Sequence, residues 1–422
     1  DRSVEIHGVI SLDLDVVRAQ CPVFSDPESA RWAQLENAGG SYVPHQVISI
    51  LNDFFVTAKV QPYWDFGPSA KAGKAMDRSL DLIPATFNAQ KEEVHFGPST
   101  SQNTYVLANA LRPNWEIGDE LIVTNQDHEA NIGAWRRLEE TGLKVIEWAV
   151  DPLTGLLNLS HLQGLVSDRT RLVAVTHASN LAATINPISE IAEIVHKVGG
   201  IVVADGVSYA PHAAIDVDDL GCDVYLYSTY KTYGPHVGLM FTSQAISEKV
   251  TNQGHFFNAE NPTSRLTPAG PDHAAVAACA GMVDYYDAVF EHHFSSIAGV
   301  SVRDRIAKVF KLFGNHEQEL MTPLIDYITS REDFRLIGSP SSTHSVRAPT
   351  VAFHSHSRSS REIYTALVNA GVSCGHGNFY AHRLVEAIGL DPEDGVVRLS
   401  LVHYNTLDEV AKALSVLEDL AK

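Results

Sequence analysis

Between about residues 94 and 245 the chain alternates two kinds of segment: short runs that are apolar at successive positions, and stretches whose apolar residues recur every three or four. The runs LIVTNQ (121–126), KVIEWAV (144–150), RLVAVT (171–176), IVVAD (201–205), VYLYS (224–228) and GLMFTS (238–243) are the first kind. Strands apolar on both sides have to bury both faces, so they predict a mostly parallel sheet covered by helices. One covering helix is legible in PISEIAEIVHKVGG, where Pro187 opens it and Gly199 closes it. Ile188, Ile191, Ile194, Val195 and Val198 form its apolar stripe. A helix between two such strands is the crossover of a β-α-β unit.

From about residue 272 to 328 the spacing is helical, and a second mixed segment follows. It contains FRLIGS, PTVAFHS, the helix SREIYTALVNAG, the run VVRLSLVHY and the helix TLDEVAKALSVLEDLA. The pattern predicts an α/β fold in two units. Residues 46–290 form a large domain around the central sheet and 291–422 a smaller C-terminal α/β domain, with 1–45 contributing to the small domain and the active site. The stretch 252–273, rich in Gly, Pro and Asn, predicts an ordered loop or connection.

Length agrees with this division, since 422 residues exceed what one core usually organises. Acidic residues outnumber basic ones by 51 to 31, and a formal charge of −20 argues against nucleic acid or an anionic membrane as the partner. Cys21, Cys222, Cys279 and Cys374 are scattered and show no CxxC spacing, which predicts a reducing compartment. The opening DRSVEIHGVISLDLD has no apolar signal core, and no apolar stretch is long enough to span a bilayer, so the expectation is a cytoplasmic protein. The chain has no GxGxxG turn for a nicotinamide dinucleotide and no HExxH helix for a metal.

Candidate chemistry clusters at strand ends. Lys231, in STYKTYGP after VYLYS, stands where α/β folds place ligands and can offer its amine to an aldehyde; alone, it reads more readily as a solvated surface lysine. Asp205 ends IVVAD inside an apolar run, so its carboxylate needs a cationic partner such as a protonated pyridine nitrogen, or else caps a following helix. Ser99, Thr100 and Ser101 precede a helical pattern in GPSTSQNTYVLANAL, as hydroxyls of a phosphate cradle or as caps. Ser228 and Tyr230 can add donors, and His128 ends the LIVTNQ strand where its ring can lie over a flat one. Their joint occurrence, in order, is the signal.

These residues carry a resemblance. THASNLAATINP, VADGVSYAPH, DVYLYSTYKTYGP and VVRLSLVHYNT resemble segments of the class V aminotransferase family, fold-type I enzymes of pyridoxal 5'-phosphate (PLP) that include cysteine desulfurases and selenocysteine lyases. The likeness runs from LENAGGSYVP (35–44) to YNTLDEV (404–410). It implies that Lys231 is the Schiff-base lysine holding PLP as an internal aldimine, that Asp205 partners the pyridine nitrogen, and that His128 stacks on the ring. Asn180 would bond the phenolic oxygen, with Ser208 nearby, and Thr100, Ser101, Ser228 and Tyr230 would surround the phosphate. Arg398 would clamp the carboxylate of an amino-acid substrate, approached also by the backbone of Asn37, Ala38 and Gly39. The resemblance further implies a homodimer with active sites at the interface.

Three positions depart from the desulfurase pattern. Asn378, in SCGHGNFYA, stands where desulfurases carry the loop cysteine that attacks sulfur, with Cys374 four positions earlier. Ser208 replaces a glutamine, and Pro271 in AGPDH (269–273) replaces a threonine that reaches the neighbouring subunit's phosphate. The expected reaction is therefore Cα deprotonation followed by desulfurase-like or carbon–sulfur β-lyase chemistry. Transamination and epimerisation are the rivals within the family, and an inactive PLP-fold scaffold or binding protein is the rival outside it.

Overall fold

The computed structural model describes residues 10–420. Its larger sheet has seven strands, in the order Val94–Gly97, Gly238–Thr242, Val224–Ser228, Ile201–Asp205, Thr170–Thr176, Glu120–Thr124 and Lys144–Trp148. Pairings from Val224–Ser228 outward to Lys144–Trp148 are parallel. Gly238–Thr242 is antiparallel to both of its neighbours. It follows Val224–Ser228 through residues 229–237, too short a link to carry the chain back for a parallel return. The tight turn so enforced holds Lys231.

The central strands are buried at every position of Ile201–Asp205, Val224–Ser228 and Gly238–Thr242. Lys144–Trp148 departs from the all-apolar reading: Lys144 and Glu147 are exposed because this strand is the sheet's edge. The crossover helix Ile188–His196 buries Ile188, Ile191, Ala192 and Val195. Each larger side chain so buried contributes about 1.5–3 kcal/mol. Gly199 takes the left-handed φ of +75° that closes this helix.

A second, antiparallel sheet orders Gly375–Gly377, Val396–Ser400, Thr350–Ser355 and Phe334–Leu336. The glycine-rich strand Gly375–Gly377 has no β propensity of its own, and only its pairing with Val396–Arg398 makes it one. Ala33–Gln34 pairs in parallel with Val372–Ser373, and Ala33 and Leu35 pack with Val351, Val397 and Val410. The helix Val302–Thr329 serves both cores: Ile306, Val309 and Phe313 pack under the large sheet, Leu320, Leu324 and Ile328 under the small one. Residues between Gln244–Lys249 and His273–Ala278 form a connection with two single turns, Phe256–Asn258 and Pro262–Ser264.

Candidate active site

The carboxyl ends of the parallel strands open on one cleft. It is lined by Ser99, Thr100, Ser101, His128, Asn180, Asp205, Ser208, Ser228, Tyr230 and Lys231, together with Ala130, Thr176 and Val207. Residues up to 132 positions apart in the chain (231 less 99) thus meet because their strands end side by side. Lys231 also lines an adjoining smaller cleft with Asn37, Ala38, Ser208, His212 and Ser400.

Lys231 ends the turn Thr229–Lys231 immediately after the strand that Ser228 closes. Burial, reinforced by the Arg398 guanidinium, lowers its amine to about 8, against the opposing pull of Asp205 and Glu36. Asp205 is 4% exposed, and its carboxylate accepts from the Val207 N–H at 2.9 Å. Burial raises its carboxyl to about 6, with the Val207 amide and Lys231 working the other way. An acid so placed has no contacting cation among the described residues, and a protonated ring nitrogen would suit it.

His128 is the N-cap of the helix Glu129–Arg137, its Nδ1 accepting from the Ala130 N–H at 3.0 Å. That bond puts the ring proton on Nε2. Burial first, then Lys231 and Arg398, lower its pKa to about 4, so the ring is neutral near pH 7. Its ring lies 5.2 Å from that of Tyr380.

At the other end of the cleft, Ser99 caps the helix Thr100–Leu111 and accepts from the Gln102 N–H at 3.2 Å. Thr100 Oγ1 shares a hydrogen bond of 2.7 Å with Ser228 Oγ. The helix presses onto the sheet here because Gly238 has no side chain: a Cβ there would come 2.3 Å from the Ser99 carbonyl carbon. Free amides and hydroxyls at a helix start suit a phosphate. Asn180 donates to the Phe379 carbonyl at 2.9 Å, and its Oδ1 is buried without a partner. An uncompensated acid, an orphaned amide oxygen, a depressed lysine and a helix N-terminus together fit a flat, phosphate-bearing aldehyde with a basic ring nitrogen.

Arg398, Asn37, Ala38, Gly39 and Asn378 are the residues expected on the substrate side. Arg398 is 3% exposed, lines neither cleft, and places Nη2 at 2.5 Å from Glu36 Oε1 while its guanidinium lies 3.9 Å above the Phe379 ring. Asn37 turns its side chain inward to the Gln34 and Ser400 carbonyls, and the Ala38 N–H donates to Ser400 Oγ at 2.8 Å. Gly39 packs against the Glu36 carboxylate rather than the cleft wall. Asn378, read from the sequence as a substrate-side residue, is hydrogen-bonded to the backbone around it. Its amide donates to the Pro392 carbonyl at 3.2 Å and accepts from the Tyr380 N–H at 3.1 Å, holding a turn in which Phe379 and Tyr380 both take left-handed φ values, 50° and 61°. Cys374 is buried, and burial together with Glu36 raises its thiol to about 12. Pro271 lines a separate apolar groove with Pro98, Tyr105 and Leu266.

Glu36, Phe379, Tyr380 and His212 were not singled out from the sequence. Glu36 had a signal, an acid between an apolar run and the Asn-Ala-Gly-Gly turn. The two aromatics had none, because their importance lies in a strained backbone that no local pattern announces.

With fold and cleft described, the class is defined: the profile of the Aminotransferase class-V family matches residues 33–263 and 307–413, and the chain belongs to that PLP-dependent family. Among its relatives is an aminotransferase-like protein of Gibberella zeae, 36% identical over 97% of this chain and 98% of the relative. A cysteine desulfurase-like protein of Aspergillus flavus is 29% identical over 97% of this chain and 91% of its own. In solved structures, the apo cysteine desulfurase of Thermococcus onnurineus superposes with a TM-score of 0.83 over 98% of each chain at 21% identity, which shows the shared fold-type I architecture.

Proposed function

We propose that this chain is a PLP-dependent enzyme that removes the Cα proton of an amino acid and then releases a sulfur leaving group from Cβ, as a desulfurase-like carbon–sulfur lyase. The observation that carries this reading is a lysine whose amine is lowered to about 8, sharing one cleft with a buried aspartate that has no contacting cation. When bound, PLP supplies an electron sink for the charge left at Cα. Lys231 Nζ would hold the cofactor and would serve as the base that takes the Cα proton of the substrate. Its lowered pKa leaves a substantial neutral fraction near pH 7.5 for both tasks. Asp205 would partner the ring nitrogen and favour its protonated form, and the neutral His128 would lie against the ring. Thr100, Ser101, Ser228 and Tyr230 bind the phosphate with the amides of the helix Thr100–Leu111. Asn180 and Ser208, which line the cleft, would meet the phenolic edge, and Arg398 would anchor the substrate carboxylate.

Two features favour elimination over transfer of sulfur to a protein thiol: Asn378 is tied into a turn, and the Cys374 thiol is raised to about 12. The thiolate leaves Cβ with the bonding electron pair, and water hydrolyses the released aminoacrylate to pyruvate and ammonia. Incubation of the PLP-loaded protein with a panel of amino acids tests this, assaying pyruvate, sulfide, keto acid and inverted stereochemistry. Pyruvate with sulfide from cysteine supports it. Keto acid or a D-amino acid without sulfide would replace it with transamination or epimerisation, and a protein that stays colourless with added PLP would end it.

Exposed aromatic side chains at Phe55, Tyr63, Trp64 and Phe66 support a homodimer, to be checked by sedimentation, because so many apolar rings in one stretch rarely face water on a monomer. The pairing of Ala33–Gln34 with Val372–Ser373 supports counting the first 45 residues with the smaller domain, 291–422, against the larger, 46–290. Among the described residues no helix is long and apolar enough to cross a membrane, and all four cysteines are free, which supports a cytoplasmic setting.

A further inference from the structure

Arg398 holds a carboxylate of its own chain. Glu36 Oε1 lies 2.5 Å from Arg398 Nη2, while Arg398 Nε and Glu36 Oε2 are both buried without partners. A guanidinium pairs with a carboxylate bidentately in two ways, side-on through Nε and Nη2 or end-on through Nη1 and Nη2. Both use Nη2, the nitrogen that Glu36 occupies. A substrate carboxylate arriving in either mode would bring two negative charges onto one nitrogen of a side chain only 3% exposed, an arrangement that like-charge repulsion opposes strongly in a buried site.

Release of Glu36 resolves the conflict, and its surroundings allow it. The Glu36 side chain is 29% exposed, so a route to water exists, and a single hydrogen bond retains it. Its recess is made by two glycines: a Cβ on Gly39 would stand 2.7 Å from Oε1 and one on Gly375 3.2 Å from Oε2. The Phe379 ring, 3.9 Å from the Arg398 guanidinium, holds the arginine in place while its partner changes.

We propose that Glu36 is a specificity-determining residue, an internal carboxylate that competes with the substrate for Arg398 and so excludes ligands that offer a carboxylate alone. This rests on the reading of Arg398 as the carboxylate anchor. An amino acid has a second hold, its amine, that offsets the cost of displacing Glu36. A simple carboxylate has none, and discrimination arises from a repulsive element rather than from an added contact.

The test is the dissociation constant of propionate for the PLP-loaded protein, measured by calorimetry. Glu36→Gln keeps the shape and removes the charge, and it is expected to bind propionate about tenfold more tightly or better. Glu36→Asp, shorter by one methylene, should show a smaller gain and serves if the glutamine variant folds poorly. The preference for cysteine over propionate should narrow in the same order. A merely structural Glu36 would give weaker binding when altered, so equal or weaker propionate affinity in both variants overturns the proposal. Arg398→Lys separates the two readings. Propionate binding lost in that variant, with no gain in Glu36→Gln, overturns the competition alone, whereas unchanged binding in Arg398→Lys overturns the anchor and the competition together.

Discussion

Thr100 Oγ1 and Ser228 Oγ lie 2.7 Å apart, so one hydrogen bond ties the first turn of the helix Thr100–Leu111 to the last residue of the strand Val224–Ser228. Both hydroxyls are buried, and each still has bonding capacity to offer a phosphate. Thr100→Val keeps the shape and leaves Ser228 without that partner. We expect PLP affinity to fall by about ten- to a hundredfold, the worth of one or two hydrogen bonds to a charged group. Titration of the apo protein with PLP measures it, and an unchanged dissociation constant would remove Thr100 from the phosphate site.

Lys231→Ala should abolish turnover and the borohydride-reducible yellow band. The lowered amine also sets a pH dependence, because only the neutral form attacks a carbonyl. The rate of PLP attachment to the apo protein should climb with pH and level off above about 8. A profile still rising towards the ordinary lysine value of about 10.4 would show that the amine is solvated.

Asp205 should cost the apo protein stability. Its folded pKa, about 6, lies above its ordinary value of 3.8, so the folded state keeps a proton that the unfolded chain has released. The group is neutral in both states below pH 4, and the apo protein loses stability as pH rises from about 4 through 6. Asp205→Asn removes this dependence and should stabilise the apo protein at pH 7.5 by roughly 2–3 kcal/mol, an order-of-magnitude figure at about 1.36 kcal/mol per pKa unit. Turnover with PLP should fall by about a hundredfold or more. Denaturant titrations at pH 5 and 7.5 provide the check, and a variant less stable than the parent at both would refute it.

Cys374→Ser should leave sulfide release from cysteine intact, since a thiol raised to about 12 supplies almost no thiolate at neutral pH. The expected cost is stability alone, about 1 kcal/mol for placing a hydroxyl in an apolar site. A tenfold loss of sulfide release would restore the thiol to the mechanism.

Much of the site was legible in the chain because its chemistry sits at strand ends, and strand ends are readable. IVVAD and VYLYS became the strands Ile201–Asp205 and Val224–Ser228 with the same bounds, which brought Asp205 and Lys231 to one edge of the sheet. The strand Gly375–Gly377 was invisible, since three residues with two glycines have no pattern of their own and pair only because Val396–Arg398 is beside them. Glu36 was legible as a residue but not as the partner of Arg398, 362 positions away.

The division follows the range of the forces involved. Apolar runs, helix stripes and closing glycines act over a few residues, so the amino-acid sequence alone determined the α/β architecture, the alternation of strand and crossover, and which polar groups end the strands. Tertiary structure decided which of those groups meet and in what state. The burial that moves Lys231 and Asp205, the turn that Asn378 holds, and the carboxylate resting on Arg398 all come from packing between distant segments, where water is excluded and a charge must find its partner in space.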